Sequence, residues 1–164
     1  MLRLIKISVG GKYMYNKKEK ICLLYASEEH FITILSSYIY GELNKEEKII
    51  TIFEKDLENI AEKILKIINK PKKEEINWNK TSINNLNEKL NRDLKGKTIV
   101  VFGNNRFINN VNMILDNIEE EFNIINCFSI LKSEKSIQEI IEEYKKILTT
   151  EGIEEIKKVI TCNI

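Results

Sequence analysis

The stretch KICLLYASEEHFITILSSYIYGELNKEEKIITIF, Lys20 to Phe53, decides the fold. Ile21 to Tyr25 is short, apolar and rich in strand formers, and it stops at Ala26-Ser27-Glu28-Glu29. There Ser27 reads as a helix N-cap, with acids in the first turn where the helix dipole favours them. Phe31, Ile34, Leu35, Tyr38 and Ile39 then recur at spacings of three and four, which is one face of a helix. Lys48 to Phe53 reads as a second buried strand. Leu57, Ile60, Ile64, Leu65 and Ile68 line a second helix that Pro71 ends. The unit is βαβα.

The same alternation continues outward. A weak strand is expected at Ile76 to Trp78, then a helix capped by Ser82 and closed by Gly96. Lys97 to Gly103 is apolar, β-branched and flanked by glycines, a strand followed by a helix from Arg106 to Glu121. Phe122 to Ile130 is another strand, and Ser136 caps a helix, IQEIIEEYKKILTTEG, that Gly152 closes. The tail finishes as a short helix or an edge strand. Strands apolar on both faces, alternating with amphipathic helices, imply a mainly parallel sheet covered on both sides: an α/β three-layer sandwich. The first twenty residues break the pattern, and LRLIKISV with Gly10-Gly11 and KYMY suggests a hairpin at a sheet edge. The expected organisation is an N-terminal extension over 1–19, an α/β domain over 20–152 and a tail over 153–164.

Composition narrows function by exclusion. The 164 residues suit one domain, and 26 Lys+Arg against 25 Asp+Glu leave no excess of positive charge to coat nucleic acid. Absence of a long apolar run or a signal peptide's apolar core points to a cytoplasmic protein without a membrane partner. Three cysteines without Cys-x-x-Cys spacing favour free thiols: Cys22 and Cys127 as core residues, Cys162 in the tail. His30 is the single histidine, a helix residue rather than a metal ligand, and no metal or cofactor is expected. The acidic groups Glu46-Glu47, Glu119-Glu120-Glu121 and Glu142-Glu143 read as solvated helix faces.

Sheets of this kind bind ligands at the carboxyl ends of their strands. That places Tyr25, Ser27 and Glu28, then Glu54 and Asp56, Asn79 to Thr81, Gly103 to Arg106, and Ser129 near a site. Neither Gly-x-x-x-x-Gly-Lys-Ser/Thr nor Gly-x-Gly-x-x-Gly occurs; the turns YASEEH and FGNNRF stand in their places. Two carboxylates in the first turn oppose a polyphosphate, and Asn104 reads foremost as a cap. The ligand-binding candidates are Tyr25, Glu28, Glu54, Asn104 and Arg106. Arg3, Lys6, Lys12, Lys17, Lys18 and Lys20, with Tyr13 and Tyr15 interleaved, could serve a nucleic-acid-binding adaptor, although lysines protecting a hairpin edge explain them as well.

The opening of the domain resembles the MEDS family, a sensory domain of methanogens and methylotrophs. Ile21, Cys22, Leu23 and Tyr25 match its first strand, Glu28 and Glu29 its helix start, and Leu43 and Glu47 its helix end. KTIVVFGNN is like its fourth strand, and IINCFSI, with Cys127, like its fifth. Lys20 stands where the family has histidine, Asn104 where a Glu follows the fourth strand, and a closing His-Pro pair is missing. The resemblance implies a RecA-like core without a phosphate-binding loop, acting as a non-catalytic sensory or regulatory module. Its implied partners are a small-molecule ligand or a regulatory protein, with homodimerisation left open. The alternatives are a nucleotide-binding enzyme with a non-standard loop and the nucleic-acid adaptor.

Overall fold

The computed structural model describes residues 2–5, 14–43, 49–54, 57–68, 76–80 and 94–157. Expectations at Gly10-Gly11, Glu46-Glu47, Asp56, Pro71, Thr81, the helix capped by Ser82 and Cys162 lie outside them, as do the side chains of Leu57 and Leu65.

The chain runs β1 (Leu2–Ile5), β2 (Met14–Lys17), β3 (Glu19–Tyr25), α1 (Glu28–Leu43), β4 (Ile49–Phe53), α2 (Leu57–Ile68), β5 (Ile76–Lys80) and β6 (Thr98–Phe102). It continues with α3 (Asn105–Asp116), β7 (Asn123–Ser129), α4 (Ile137–Glu143), β8 (Lys146–Thr149) and β9 (Gly152–Glu155). The principal sheet has seven strands in the order β5-β4-β6-β7-β3-β8-β9. All pairings are parallel except that of β8 with β9, so the sheet is mixed but mostly parallel. The fold is α/β.

Strand parity sorts the core. Ile21, Leu23, Ile49, Phe53, Val100, Ile125 and Cys127 join one cluster with Phe31, Leu35 and Ile39 of α1 and Ile60 and Ile64 of α2. Their neighbours along the strands, including Cys22, Ile52, Ile99, Val101, Ile124 and Phe128, join a second with Phe107 and Val111 of α3 and Ile140 of α4. Both strand faces are therefore apolar, which is why β4 reads as an unbroken run and every one of its residues is buried. The α1 face lies where its periodicity placed it, with Phe31, Ile34, Leu35, Tyr38 and Ile39 buried.

Four local expectations need correction. The N-terminal hairpin forms, with Leu2 opposite Lys17 and Ile5 opposite Met14, but as a separate two-stranded sheet and not as an edge of the larger one. β5 runs through Asn79 and Lys80, so these belong to the strand rather than to a loop after it. The helix from Arg106 ends at Asp116 instead of Glu121. The helix capped by Ser136 keeps its capping box with Glu139 but ends at Glu143, not at Gly152. YKKILTTEG offers helical spacing and β-branched content together, and the open flank of β3 decides between them. Ile147 of β8 pairs with Cys22, completing the ladder there. Gly152, at φ +117°, then starts the returning edge strand instead of capping a helix.

Candidate functional site

β4 and β6 end side by side, Phe53 opposite Phe102, and the chain after each is tied to the other. The Glu54 backbone N–H donates to the Phe102 carbonyl at 2.9 Å. The Glu54 carboxylate crosses to the next turn, where Oε2 accepts from the Asn104 backbone N–H at 2.9 Å and Oε1 from Asn104 Nδ2 at 3.2 Å. Asn104 is also the N-cap of α3, its Oδ1 accepting from the Phe107 N–H at 2.8 Å. Gly103 makes this crossing fit, since a Cβ there would lie 2.5 Å from Phe107 Cδ1 and 2.9 Å from Glu54 Oε2. Gly103→Ala is thus expected to lose about 1–3 kcal/mol of stability by forcing both neighbours aside. A urea midpoint equal to that of the parent protein would contradict this packing.

Tyr25 closes β3 over an aromatic group. Its ring lies 5.4 Å from Phe31 and 5.5 Å from Phe102, and Phe31 and Phe102 are 4.5 Å apart. Burial foremost, with the Cys127 thiol beside it, pushes the Tyr25 phenol up from 10.0 to about 12, so it is neutral at physiological pH. Beyond it, Ser27 Oγ accepts from the His30 N–H at 3.1 Å, and His30 Nδ1 accepts from the Ala26 N–H at 3.1 Å. The histidine is thus a helix-start residue that satisfies its own turn. Glu28 faces α2 and pairs with Lys63 at 2.9 Å across an exposed surface, a contact worth at most about 1 kcal/mol. Arg106 is exposed on the first turn of α3. Of the five candidates, the structure joins Glu54 to Asn104 and sets Tyr25 on the adjoining aromatic floor. It turns Glu28 toward α2 and gives Arg106 no hydrogen bond to the other four.

Two further links connect these strand ends. The Ile130 N–H donates to the Tyr25 carbonyl at 2.9 Å, joining the β7–α4 loop to β3. Ser133 and Asn105 exchange hydrogen bonds at 3.1 and 3.2 Å, joining that loop to α3. Ser129 Oγ accepts from the Lys132 N–H at 3.1 Å within the same loop.

Sequence reasoning missed a polar cluster on the α3/α4 side of the sheet. Asn112 of α3 and Asn126 of β7 exchange amide hydrogen bonds at 2.8 and 3.0 Å, and Asn126 Nδ2 also donates to the Tyr144 hydroxyl at 2.8 Å. Asn126 is 1% exposed. The available signal was an amide inside the apolar run IINCF, since a buried amide has to find partners. These residues line a cleft of about 580 Å³ that opens between Glu19-Lys20 of β3 and Lys145-Lys146 at the start of β8. It lies toward the amino ends of the strands. Two cations of the N-terminal basic stretch are engaged nearby: Lys18 Nζ donates to the Asp116 carbonyl at 3.1 Å and sits 5.2 Å from the Phe122 ring centre, and Lys20 pairs with the Asp116 carboxylate at 3.0 Å.

Cys22 and Cys127 occupy neighbouring strands one register step apart, Cys22 opposite Asn126 and Leu23 opposite Cys127. Their side chains therefore stand on opposite faces, and both thiols are free. Burial pushes the Cys22 thiol up from 9.0 to about 12 and raises Cys127 as well. An unfolded chain gives up these protons near the ordinary thiol and phenol values, whereas the folded chain keeps them to higher pH. Unfolding then releases protons, so stability falls as the pH rises from 9.0 toward about 12. The urea midpoint is expected to drop steadily across that window, and more gently in Cys22→Ala; an unchanged midpoint would contradict the burial of these groups.

Among the described residues, no group of three or more His, Cys, Asp or Glu side chains could hold a metal ion, and no helix is long and apolar enough to cross a membrane. Comparison of the chain with protein-family models, curated proteins and solved structures found no match.

Proposed function

We propose that this chain is a non-catalytic sensory or regulatory module, a RecA-like three-layer domain of the kind the MEDS resemblance implies, which binds a small-molecule signal or a partner protein at its strand ends. One observation carries the reading: two of the amide donors at each of these turns, which a phosphate-binding fold would offer to its ligand, are spent within the chain. The Ala26 and His30 amides are taken by His30 and Ser27, and the Asn104 and Phe107 amides by Glu54 and Asn104. A carboxylate, Glu54, lies where a phosphate would need a positive field. The aromatic and thiol groups nearby are held neutral, which deprives them of a role as base or nucleophile at physiological pH.

Recognition without turnover then works by population shift. A ligand or partner that favours one arrangement of the β7–α4 loop biases the strand ends of β3 and the start of α3 through the Ile130–Tyr25 and Ser133–Asn105 bonds. The same loop exposes Leu131, at 80%, beside the partly exposed Ile130, apolar surface suited to a protein contact. Calorimetric titration with ATP and with GTP, with and without magnesium, is expected to give no heat of binding. Micromolar binding or nucleotide turnover would overturn the reading in favour of an enzyme with a non-standard loop.

A further inference from the structure

We propose that the cleft between α3 and α4 is a second binding site, at the opposite end of the sheet from the turns discussed above, and that it takes a small organic oxyanion carrying a hydrogen-bond acceptor. The floor supplies a directed donor. Asn126 Nδ2 donates to the Tyr144 oxygen at 2.8 Å, so the phenol's own hydrogen is not used in that bond. Asn126 Oδ1 accepts from the Asn112 amide at 2.8 Å and makes no bond with the phenol, whose hydrogen finds its acceptor elsewhere. The Tyr144 ring is fixed edge-on to Phe128 at 5.8 Å, which holds the hydroxyl in place. Burial keeps that phenol protonated far above neutral pH, so it acts as a donor.

The walls supply the charge. Lys18, Lys20, Lys145 and Lys146 line the cleft against Glu19 and Glu143. Glu19 is paired with Lys146, Lys20 with Asp116, and Glu143 with Lys135 at 2.8 Å, so these pairs cancel and the surplus of positive charge rests on Lys18 and the exposed Lys145. Lysine cations at the mouth and a neutral donor at the floor fit a molecule anionic at one end and polar at the other. The cleft's volume of about 580 Å³ lies within the range of small-molecule sites and is far too small for a polymer. Carboxylates and phosphate monoesters share this chemistry.

The test is calorimetric titration of the full chain with 4-oxopentanoate, its neutral methyl ester, glycerol 3-phosphate and inorganic phosphate. Saturable binding of 4-oxopentanoate or glycerol 3-phosphate, with the methyl ester at least about tenfold weaker, supports the site, and the tighter of the two acids identifies the oxyanion. Tyr144→Phe is expected to weaken that binding about tenfold through the lost hydrogen bond. The exposed Lys145→Gln, which leaves the fold untouched, is expected to weaken it several-fold and flatten its dependence on salt. Equal binding of the ester overturns the anionic assignment. Binding of inorganic phosphate alone, indifferent to Tyr144→Phe, reduces the cleft to an adventitious ion site and overturns the proposal, as does the failure of all four probes. Since the nucleotide titration reads the other end of the sheet, either reading can fail while the other stands.

Discussion

Phe31→Ala lowers the free energy of unfolding by about 3–5 kcal/mol, the range for emptying a core aromatic site. Phe31 is fully buried, and its ring lies 4.5 Å from Phe102, 5.4 Å from Tyr25 and 6.0 Å from Phe53. Truncation removes three ring contacts together, each worth about 0.5–1.5 kcal/mol beyond the area it buries. The effect reaches the candidate site, because Tyr25, Phe53 and Phe102 are the last residues of the three strands whose following turns form it. With the floor hollowed, the Glu54–Asn104 bonds lose their support, and the Asn104 amide is expected to exchange its hydrogen faster than in the parent protein. Phe31→Leu, which loses the same ring contacts but refills part of the volume, is expected to cost less than the alanine variant. A loss below about 1 kcal/mol for the alanine variant would mean the aromatic group is not what supports these turns.

What the sequence disclosed follows from how strongly each segment repeats its period. The run from Lys20 to Phe53 carries a buried strand, a capped helix and a second buried strand, and the structure has all three, the strands ending at Tyr25 and Phe53 and the helix following its Ser27 cap as expected. IQEIIEEYKKILTTEG failed because two periods coexist in it. Ser136 and Glu139 start a helix by a local rule, but its end depends on β3 offering a free flank, a long-range fact that no window contains. That error hid Tyr144, which reads as one more residue of a helix and instead sits where the chain leaves it, over Asn126. At the carboxyl ends, position alone singled out Glu54 and Asn104, and they do meet. Their mutual bonding was not legible, because it depends on β4 and β6 being neighbours in a sheet whose order departs from that of the chain. Glu28 shows the reverse case: a correct position at a strand end, with the side chain drawn to Lys63 of the next helix.

Asn126→Leu is expected to cost about 2–4 kcal/mol, and the double variant Asn112→Leu/Asn126→Leu markedly less than twice that. Asn126 is the hub of the cluster, bonded to Asn112 twice and to Tyr144 once. Replacing it alone leaves the Asn112 carbonyl and one of its amide hydrogens unpaired in a buried setting, at about 1–3 kcal/mol for each group so stranded. Replacing both amides removes the donors and acceptors together and substitutes apolar volume of similar size, which returns much of the loss. Asn112 Nδ2 also donates to the Ile108 carbonyl at 2.8 Å, a bond back to its own helix that contributes little support when the amide's main partner is gone. Urea unfolding of the two single variants and the double gives the coupling directly. Strict additivity would show that the two amides act independently. A favourable coupling has a second consequence, because the double variant regains stability while losing the donor that seats the phenol. A folded double variant that still binds 4-oxopentanoate as the parent does would separate the amide pair from the cleft's chemistry, whereas weakened binding in a stable protein ties the two together.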